Sequence, residues 1–381
     1  MTSILSLGNC ALDPTLGSGK TRLRWTEGLR AAGFQVQFKA PAEIMRDATP
    51  RLGWRFRLAL DARRLIMSQP LNLIECFGAE FGLVQRRWSH RAPRPLIVAH
   101  TDGLELLATE RQRRLFKRSL KQKIMAPIHD WLDWSAFRYA DALVAGCEAD
   151  IVFARQHGLF AAETAICINP GIDDEYLGRP FRPAREHLVV YLGTWHERKA
   201  PERIIRVMTQ VLSDDPSCRF EVVGASSDAR RIVDAFAPHL RARVAVHPKL
   251  TTAAVSVVLN RAKTMFFPSH YEGFGMATAE AMACGCAVVT TPTGFGADLQ
   301  DGVNAFVRDF NDEAGMRDNI LRLLRDDAVR ISMAEAGWRR VQELAWDRQC
   351  RRLAEVYSAW LARWDQERGC FRPANALLTD G

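Results

Sequence analysis

Two carboxylates eight positions apart, Glu272 and Glu280, bracket a glycine turn in the stretch SHYEGFGMATAEAMACGCAVV. The run Thr264-Met265-Phe266-Phe267 before it predicts the end of a buried strand, and Ala277 to Ala283 after it predict a helix. Gly273 and Gly275 lie between. One carboxylate therefore falls in the turn and the other about one turn into the helix. A strand–glycine turn–helix unit aims free backbone N–H groups and the positive end of the helix at whatever lies above the strand. That arrangement favours a phosphate. Carboxylates beside an anion site carry a cost unless they bind something else, and the hydroxyls of a sugar and of a ribose suit them.

A second loop has complementary chemistry. Gly193-Thr194-Trp195-His196-Glu197-Arg198-Lys199 follows an expected strand and precedes a helix starting near Pro201. Lysine can reach a pyrophosphate as a point charge, and arginine can fork onto it. No D-x-D pair occurs in the chain. The lone C-x-C at Cys284 and Cys286 has no second pair to complete a zinc site.

These elements need a scaffold that repeats strand and helix. Expected strands fall near Ile4–Leu7, Gln35–Phe38, Leu71–Cys76, Leu96–His100, Ala142–Ala145 and Ala165–Ile168. A second set falls near Leu188–Leu192, Phe220–Val223, Val244–Val246, Thr264–Phe267, Ala287–Thr290 and Ala305–Val307. Helical patterns separate them, which indicates two doubly wound parallel sheets. A chain of 381 residues is long enough for two cores. The linker is expected at Gly171–Pro183, and the last helices, about residues 313–364, are amphipathic.

The segment around Glu272 resembles the signature of retaining glycosyltransferases of the GT-B fold, in particular glycosyltransferase family 4. The matching residues are Pro268-Ser269, Glu272-Gly273-Phe274-Gly275 and Glu280. Asp301 to Val307, Gly193 to Lys199, Asn169-Pro170-Gly171-Ile172-Asp173 and Ala140 to Val144 resemble further family segments in the same order. The resemblance covers about residues 140–360 well and residues 1–140 loosely.

It implies two Rossmann-like domains facing an interdomain cleft. The expected division is an acceptor-side domain over 1–178 and a nucleotide-sugar donor domain over 179–355. A helix and tail over 356–381 would cross back to the first domain. By resemblance, Glu280 holds the ribose hydroxyls, Glu272 contacts the donor sugar, and the backbone around Phe274, Gly275, Met276 and Ala277 sits on the phosphates. Lys199 fits the family's diphosphate lysine. Thr194 stands where the family carries arginine, and Arg198 is the candidate substitute. His247, after a strand, falls where the family contacts the base. The implied donor site is metal-free, with no cofactor beyond the nucleoside-diphosphate sugar.

Two loops of the first half add candidates. His100 ends the strand Leu96-Ile97-Val98-Ala99-His100, where a histidine can bond a sugar hydroxyl or the reaction centre; a structural histidine is the alternative. Gly17-Ser18-Gly19-Lys20-Thr21 fails as a P-loop, because Pro14 stands where that motif needs glycine. The resemblance instead expects Gly19 in a glycine loop near donor phosphate and acceptor.

Composition bounds the rest. Hydrophobic content of 48% and charged content of 25% are ordinary for a globular protein. No apolar run approaches the length that crosses a bilayer, and the start lacks the pattern of a signal peptide. Nine scattered cysteines suit a reducing compartment, so the expected location is cytoplasmic. The net charge of +8 sits mainly in residues 1–180, with 25 Lys and Arg against 19 Asp and Glu. Arg111 to Lys123 holds seven basic residues in thirteen, interleaved with Leu115, Phe116 and Leu120. It could lie on the anionic inner face of a membrane and bring the chain to a lipid-linked acceptor, or be a solvated basic face. No nucleic-acid motif is present.

The expected activity is transfer of a sugar to a glycan or lipid-linked acceptor in polysaccharide or glycolipid assembly. A nucleotide-sugar epimerase and a catalytically degenerate sugar-nucleotide-binding homologue remain as alternatives.

Overall fold

The computed structural model describes residues 2–13, 17–45, 53–91, 93–115, 120–225 and 229–366. The chain divides into two compact units, Met1–Gly171 with Trp346–Gly381, and Ile172–Ala345.

The first unit runs β1 (Ser3–Leu7), α1 (Gly17–Ala31), β2 (Gln35–Lys39), α2 (Pro41–Ile44), α3 (Trp54–Met67), β3 (Leu73–Phe77), α4 (Gly82–Ser89), β4 (Leu96–Thr101), α5 (Glu105–Leu115), α6 (Leu120–Arg138), β5 (Ala142–Ala145), α7 (Glu148–Gln156) and β6 (Ala165–Cys167). Its parallel sheet has the order β2-β1-β3-β4-β5-β6. The second unit runs β7 (Glu186–Leu192), α8 (Pro201–Asp214), β8 (Arg219–Val223), α9 (Ala229–Asp234), β9 (Val244–His247), α10 (Thr252–Arg261), β10 (Ala262–Phe267), α11 (Met276–Ala283), β11 (Ala287–Thr290), β12 (Phe306–Val307), α12 (Glu313–Arg325) and α13 (Asp327–Val341). Its parallel sheet has the order β12-β11-β10-β7-β8-β9. All twelve expected strands are present.

The strands are short apolar runs because helices cover both faces of each sheet. Leu73 to Phe77 and Leu96 to Thr101 are buried throughout. The helices show the matching stripe: Ile204, Val207, Met208, Val211 and Leu212 of α8 recur at helical spacing and are all buried. In the second sheet, strand order reverses between β7 and β10. Such a reversal opens a crevice at the carboxyl ends of the two strands.

The unit boundaries differ from the sequence expectation. Tyr176 and Leu177, in the expected linker, are buried in the core of the second unit, so that stretch packs rather than spans. The first crossing falls at Gly171–Ile172 instead of 178–179. The return falls at Ala345–Trp346 instead of 355–356. A bridge pairs Ile172 with Ala345, and the Ile172 N–H donates to the Leu344 carbonyl at 2.6 Å, which holds the two ends of the second unit side by side. The final helix, α14 (Trp346–Gln366), packs on α1 and on one face of the first sheet.

Candidate functional site

The crevice between β7 and β10 is flanked by the two loops that the sequence marks. After β7 the chain makes a tight turn over Glu197–Lys199, closed by the Lys199 N–H to the His196 carbonyl at 2.7 Å. Ala200 follows in the left-handed region at φ 56°, and Pro201 opens α8. A non-glycine residue pays steric strain there, and a residue before proline is pressed toward extended backbone. This is the one such non-glycine residue among those described. The strained turn sets where Lys199 sits.

After β10, residues 268–275 lead into α11. Gly275 stands at the helix N-cap with φ 87°, a conformation open to glycine at no steric cost. In a helix the first N–H groups lack intrahelical acceptors. The N–H groups of Met276 and Ala277 therefore head α11.

The loops meet through Lys199 and Glu272. Lys199 Nζ donates to Glu272 Oε1 at 2.6 Å, and the ammonium lies 4.7 Å from the centre of the Phe267 ring. Both residues are buried, at 9% and 7% exposure. Burial pulls the Lys199 ammonium below its ordinary pKa; Glu272 opposes this, and the nearby Arg198 charge adds to it. Arg198 is exposed beside the lysine, and its carbonyl accepts the His270 N–H at 2.9 Å. Thr194 is exposed, and its carbonyl accepts the Tyr191 hydroxyl at 2.9 Å. Glu280 lies on the second turn of α11, partly buried, and its charge helps raise the Tyr176 phenol, after burial. Phe274 is buried against Phe295, with ring centres 5.1 Å apart. It serves the core, while its backbone belongs to the turn.

His247 is not brought to this pair. It ends β9, two strands from the reversal, and its Nε2 lies 3.1 Å from Glu221 Oε2. Its carbonyl accepts the N–H groups of Gly224 and Ala225.

The remaining candidates belong to the first unit. Gly19 lies in the first turn of α1 rather than in a loop. The Thr21 hydroxyl donates to the Gly17 carbonyl at 2.9 Å, one helical turn back. A side chain at Gly19 would stand 2.8 Å from the Asp13 backbone nitrogen, so glycine lets the chain cross close to the helix start. His100 is 2% exposed at the carboxyl end of β4. Its Nδ1 lies 2.9 Å from Glu75 Oε1.

Glu75 itself was not anticipated. The available signal was one acidic residue inside the apolar strand run Leu73-Ile74-Glu75-Cys76-Phe77. Nearby, Arg22 donates to Asp102 Oδ2 at 2.6 Å, with its guanidinium 4.6 Å from the Phe77 ring centre. The Glu105 carboxyl is pushed up to about 8, first by burial and then by Glu80. Of the basic segment 111–123, residues 116–119 and most side chains lie outside the described residues.

Residues 186–326 match the family model described as glycosyl transferases group 1. Among curated proteins, the chain is 26% identical over 246 residues to the D-inositol 3-phosphate glycosyltransferase of Nocardiopsis dassonvillei, covering 59% of this chain and 57% of that protein. It is 27% identical over 259 residues to that of Actinosynnema mirum, covering 61% and 59%. The match thus spans less than two thirds of these relatives. Among solved structures, sucrose-phosphate synthase from Thermosynechococcus elongatus superposes with a TM-score of 0.76 at 17% identity, over 95% of this chain and all of that one. WaaG, a glycosyltransferase involved in lipopolysaccharide biosynthesis, gives 0.70 at 15% identity, over 93% and 99%. Anabaena HepE in complex with UDP gives 0.69 at 16% identity, over 94% and 100%. The chain therefore has the GT-B fold, and residues 186–326 of its second unit match the glycosyl transferases group 1 family model.

Proposed function

We propose that the chain is a retaining glycosyltransferase that moves a sugar from a nucleoside diphosphate to a glycan or lipid-linked acceptor, without a metal. The observation that carries this reading is the buried Lys199–Glu272 pair at the strand-order reversal, beside the N-terminus of α11. A cation and a helix end there suit a diphosphate, and a carboxylate beside them suits a sugar hydroxyl. A structural neighbour bound to UDP, at the same fold, is in keeping with such a ligand.

In this reading the donor diphosphate takes Lys199, Arg198 and the N–H groups of Met276 and Ala277. Glu272 turns to the sugar, and Glu280 holds the ribose hydroxyls. The bond from the anomeric carbon to the diphosphate oxygen breaks, and the acceptor oxygen bonds that carbon on the same face. The acceptor proton passes to the leaving phosphate. Charge stabilisation and positioning supply the acceleration.

A membrane surface is the proposed route to a lipid-linked acceptor. Phe56, Leu60 and Met67 of α3 are exposed, and so are Arg57 and Arg64 on the same helix. Ile128 and Trp131 of α6 are exposed as well, and the Arg55–Asp133 ion pair at 2.7 Å joins the two helices. Apolar side chains among arginines suit an anionic lipid interface. No helix among the described residues is long and apolar enough to cross a membrane.

The test is transfer from a panel of sugar nucleotides to short glycan and lipid acceptors, with the product's anomeric configuration read by NMR. Retention at the transferred sugar, undiminished by EDTA, is the expected result. An inverted product, or turnover that needs an added metal, would contradict the mechanism.

A further inference from the structure

The face of the first sheet under α1 and α14 is an apolar layer of Ile4, Leu73, Phe77, Val98, Trp25 and Leu353. One carboxylate is set into it. Glu75 is 1% exposed, and three side chains from three elements converge on it. Ser6 of β1 donates to Oε2 at 2.6 Å, His100 of β4 sits with Nδ1 2.9 Å from Oε1, and Tyr357 of α14 donates to Oε1 at 2.5 Å. Burial works against ionisation of Glu75, but His100, Ser6 and Tyr357 outweigh it and hold the carboxyl below its ordinary pKa.

A buried charge without partners is costly, and an apolar residue would fill a strand position more simply. The way the partners are arranged points to a use. Register sets Glu75 opposite Ser6 on one side, and Phe77 opposite His100 on the other. Glu75 thus lies two residues behind His100 along the strand direction, on the same face. An ionised carboxylate can only accept, so the hydrogen between them belongs to Nδ1. In the neutral ring that leaves Nε2, on the far side of the ring from this bond, as the acceptor. The ring cannot turn freely. Phe77 stacks on it with centres 4.2 Å apart, and Trp25 lies at 5.6 Å.

We infer that Glu75 is a positioning residue for His100: it fixes the Nδ1–H tautomer so that Nε2 accepts a substrate hydroxyl, and Tyr357 makes this setting depend on the docking of α14. The inference rests on the transfer reading above. A carboxylate that orients a histidine and fixes its tautomer follows the logic of catalytic triads.

The experiment has two arms. In protein labelled with 15N-histidine, long-range 1H–15N spectra report which ring nitrogen carries the proton, and the His100→Gln variant identifies the His100 signals by their absence. Wild type should show protonated Nδ1 and bare Nε2 in the neutral ring, and Glu75→Gln should lose that pattern. In transfer assays, Glu75→Gln should lower kcat by roughly 100-fold or more, with donor KM within about three-fold, as loss of an orienting carboxylate does. Tyr357→Phe removes one hydroxyl and should lower kcat by less than about ten-fold, a second variant if Glu75→Gln does not fold.

A wild-type His100 protonated on Nε2 would overturn the inference. So would a folded Glu75→Gln with wild-type kcat in an enzyme that His100→Gln disables, and that outcome leaves the transfer reading intact. Absence of transfer by wild type with every donor would remove both.

Discussion

Lys199 and Glu272 lie 73 positions apart in sequence and 2.6 Å apart in space. They come from the loops after β7 and β10, the two strands between which the order of the second sheet reverses. Sheet topology alone brings those loops together, and the ammonium and carboxylate then satisfy each other where water is largely excluded. The same two groups are the ones proposed to exchange each other for diphosphate and sugar when the donor enters.

Breaking this pair should cost stability more than removing it. Lys199→Met leaves Glu272 buried without its partner and should lower unfolding free energy by about 3–5 kcal/mol, the range for a buried pair cut on one side. Adding Glu272→Gln to it should restore much of the loss. Urea denaturation of the single and double variants checks this, and additive losses would mean that the pair is not coupled.

The two glutamates should divide binding from turnover. Glu280→Ala should weaken donor binding by about 10- to 100-fold, the loss of hydrogen bonds from ribose hydroxyls to a charged group. Glu272→Ala should lower kcat more than it changes donor affinity. Calorimetric titration alongside steady-state kinetics separates the two, and wild-type behaviour of both variants would take them out of the site.

The raised Glu105 carboxyl gives stability a definite pH slope. Its folded pKa of about 8 exceeds the ordinary carboxylate value, so the folded state holds the proton that the unfolded state has released. This contribution is fully present below the unfolded pKa and is lost as pH rises through the window up to about 8, with a slope of at most about 1.4 kcal/mol per pH unit. Glu105→Gln should flatten that slope and stabilise the chain most at the alkaline end. Melting curves from pH 5 to about 9 would show it, and an unchanged slope in the variant would contradict the assignment.

Membrane docking should need both the apolar and the basic parts of the first unit's surface. The protein should co-sediment with anionic vesicles and not with neutral ones, less so at high salt. Phe56→Ser with Leu60→Ser, or Trp131→Ser, should each reduce it severalfold. Equal recovery with neutral vesicles, or no loss in the variants, would exclude this surface.

The strands were legible because each is a short apolar run, and the strand–glycine–helix unit around Glu272 because its residues are contiguous. The Lys199–Glu272 contact was less so: each residue could be marked, but their pairing depends on sheet order. Glu75 was hidden for the same reason. Its partners Ser6, His100 and Tyr357 lie 69, 25 and 282 positions away, and no periodicity links them. Gly19 was misplaced because a Gly-Ser-Gly run reads as a loop, whereas here glycine lets a helix start pass close to the Asp13 backbone. The unit boundaries moved because Tyr176 and Leu177, within a Gly- and Pro-containing stretch, pack into a core.

The central claim is that the second unit holds a nucleoside-diphosphate sugar without a metal. Thermal unfolding against UDP, GDP, ADP, TDP and CMP and their common sugar conjugates, with and without EDTA, tests it most directly. Ligand bound to the native state raises Tm by mass action, by about 2.7 kcal/mol of stability at one hundred times Kd. A rise with one base, unchanged by EDTA and lost in Glu280→Ala, is the predicted result. No rise with any nucleotide, or a rise that EDTA abolishes, would contradict it.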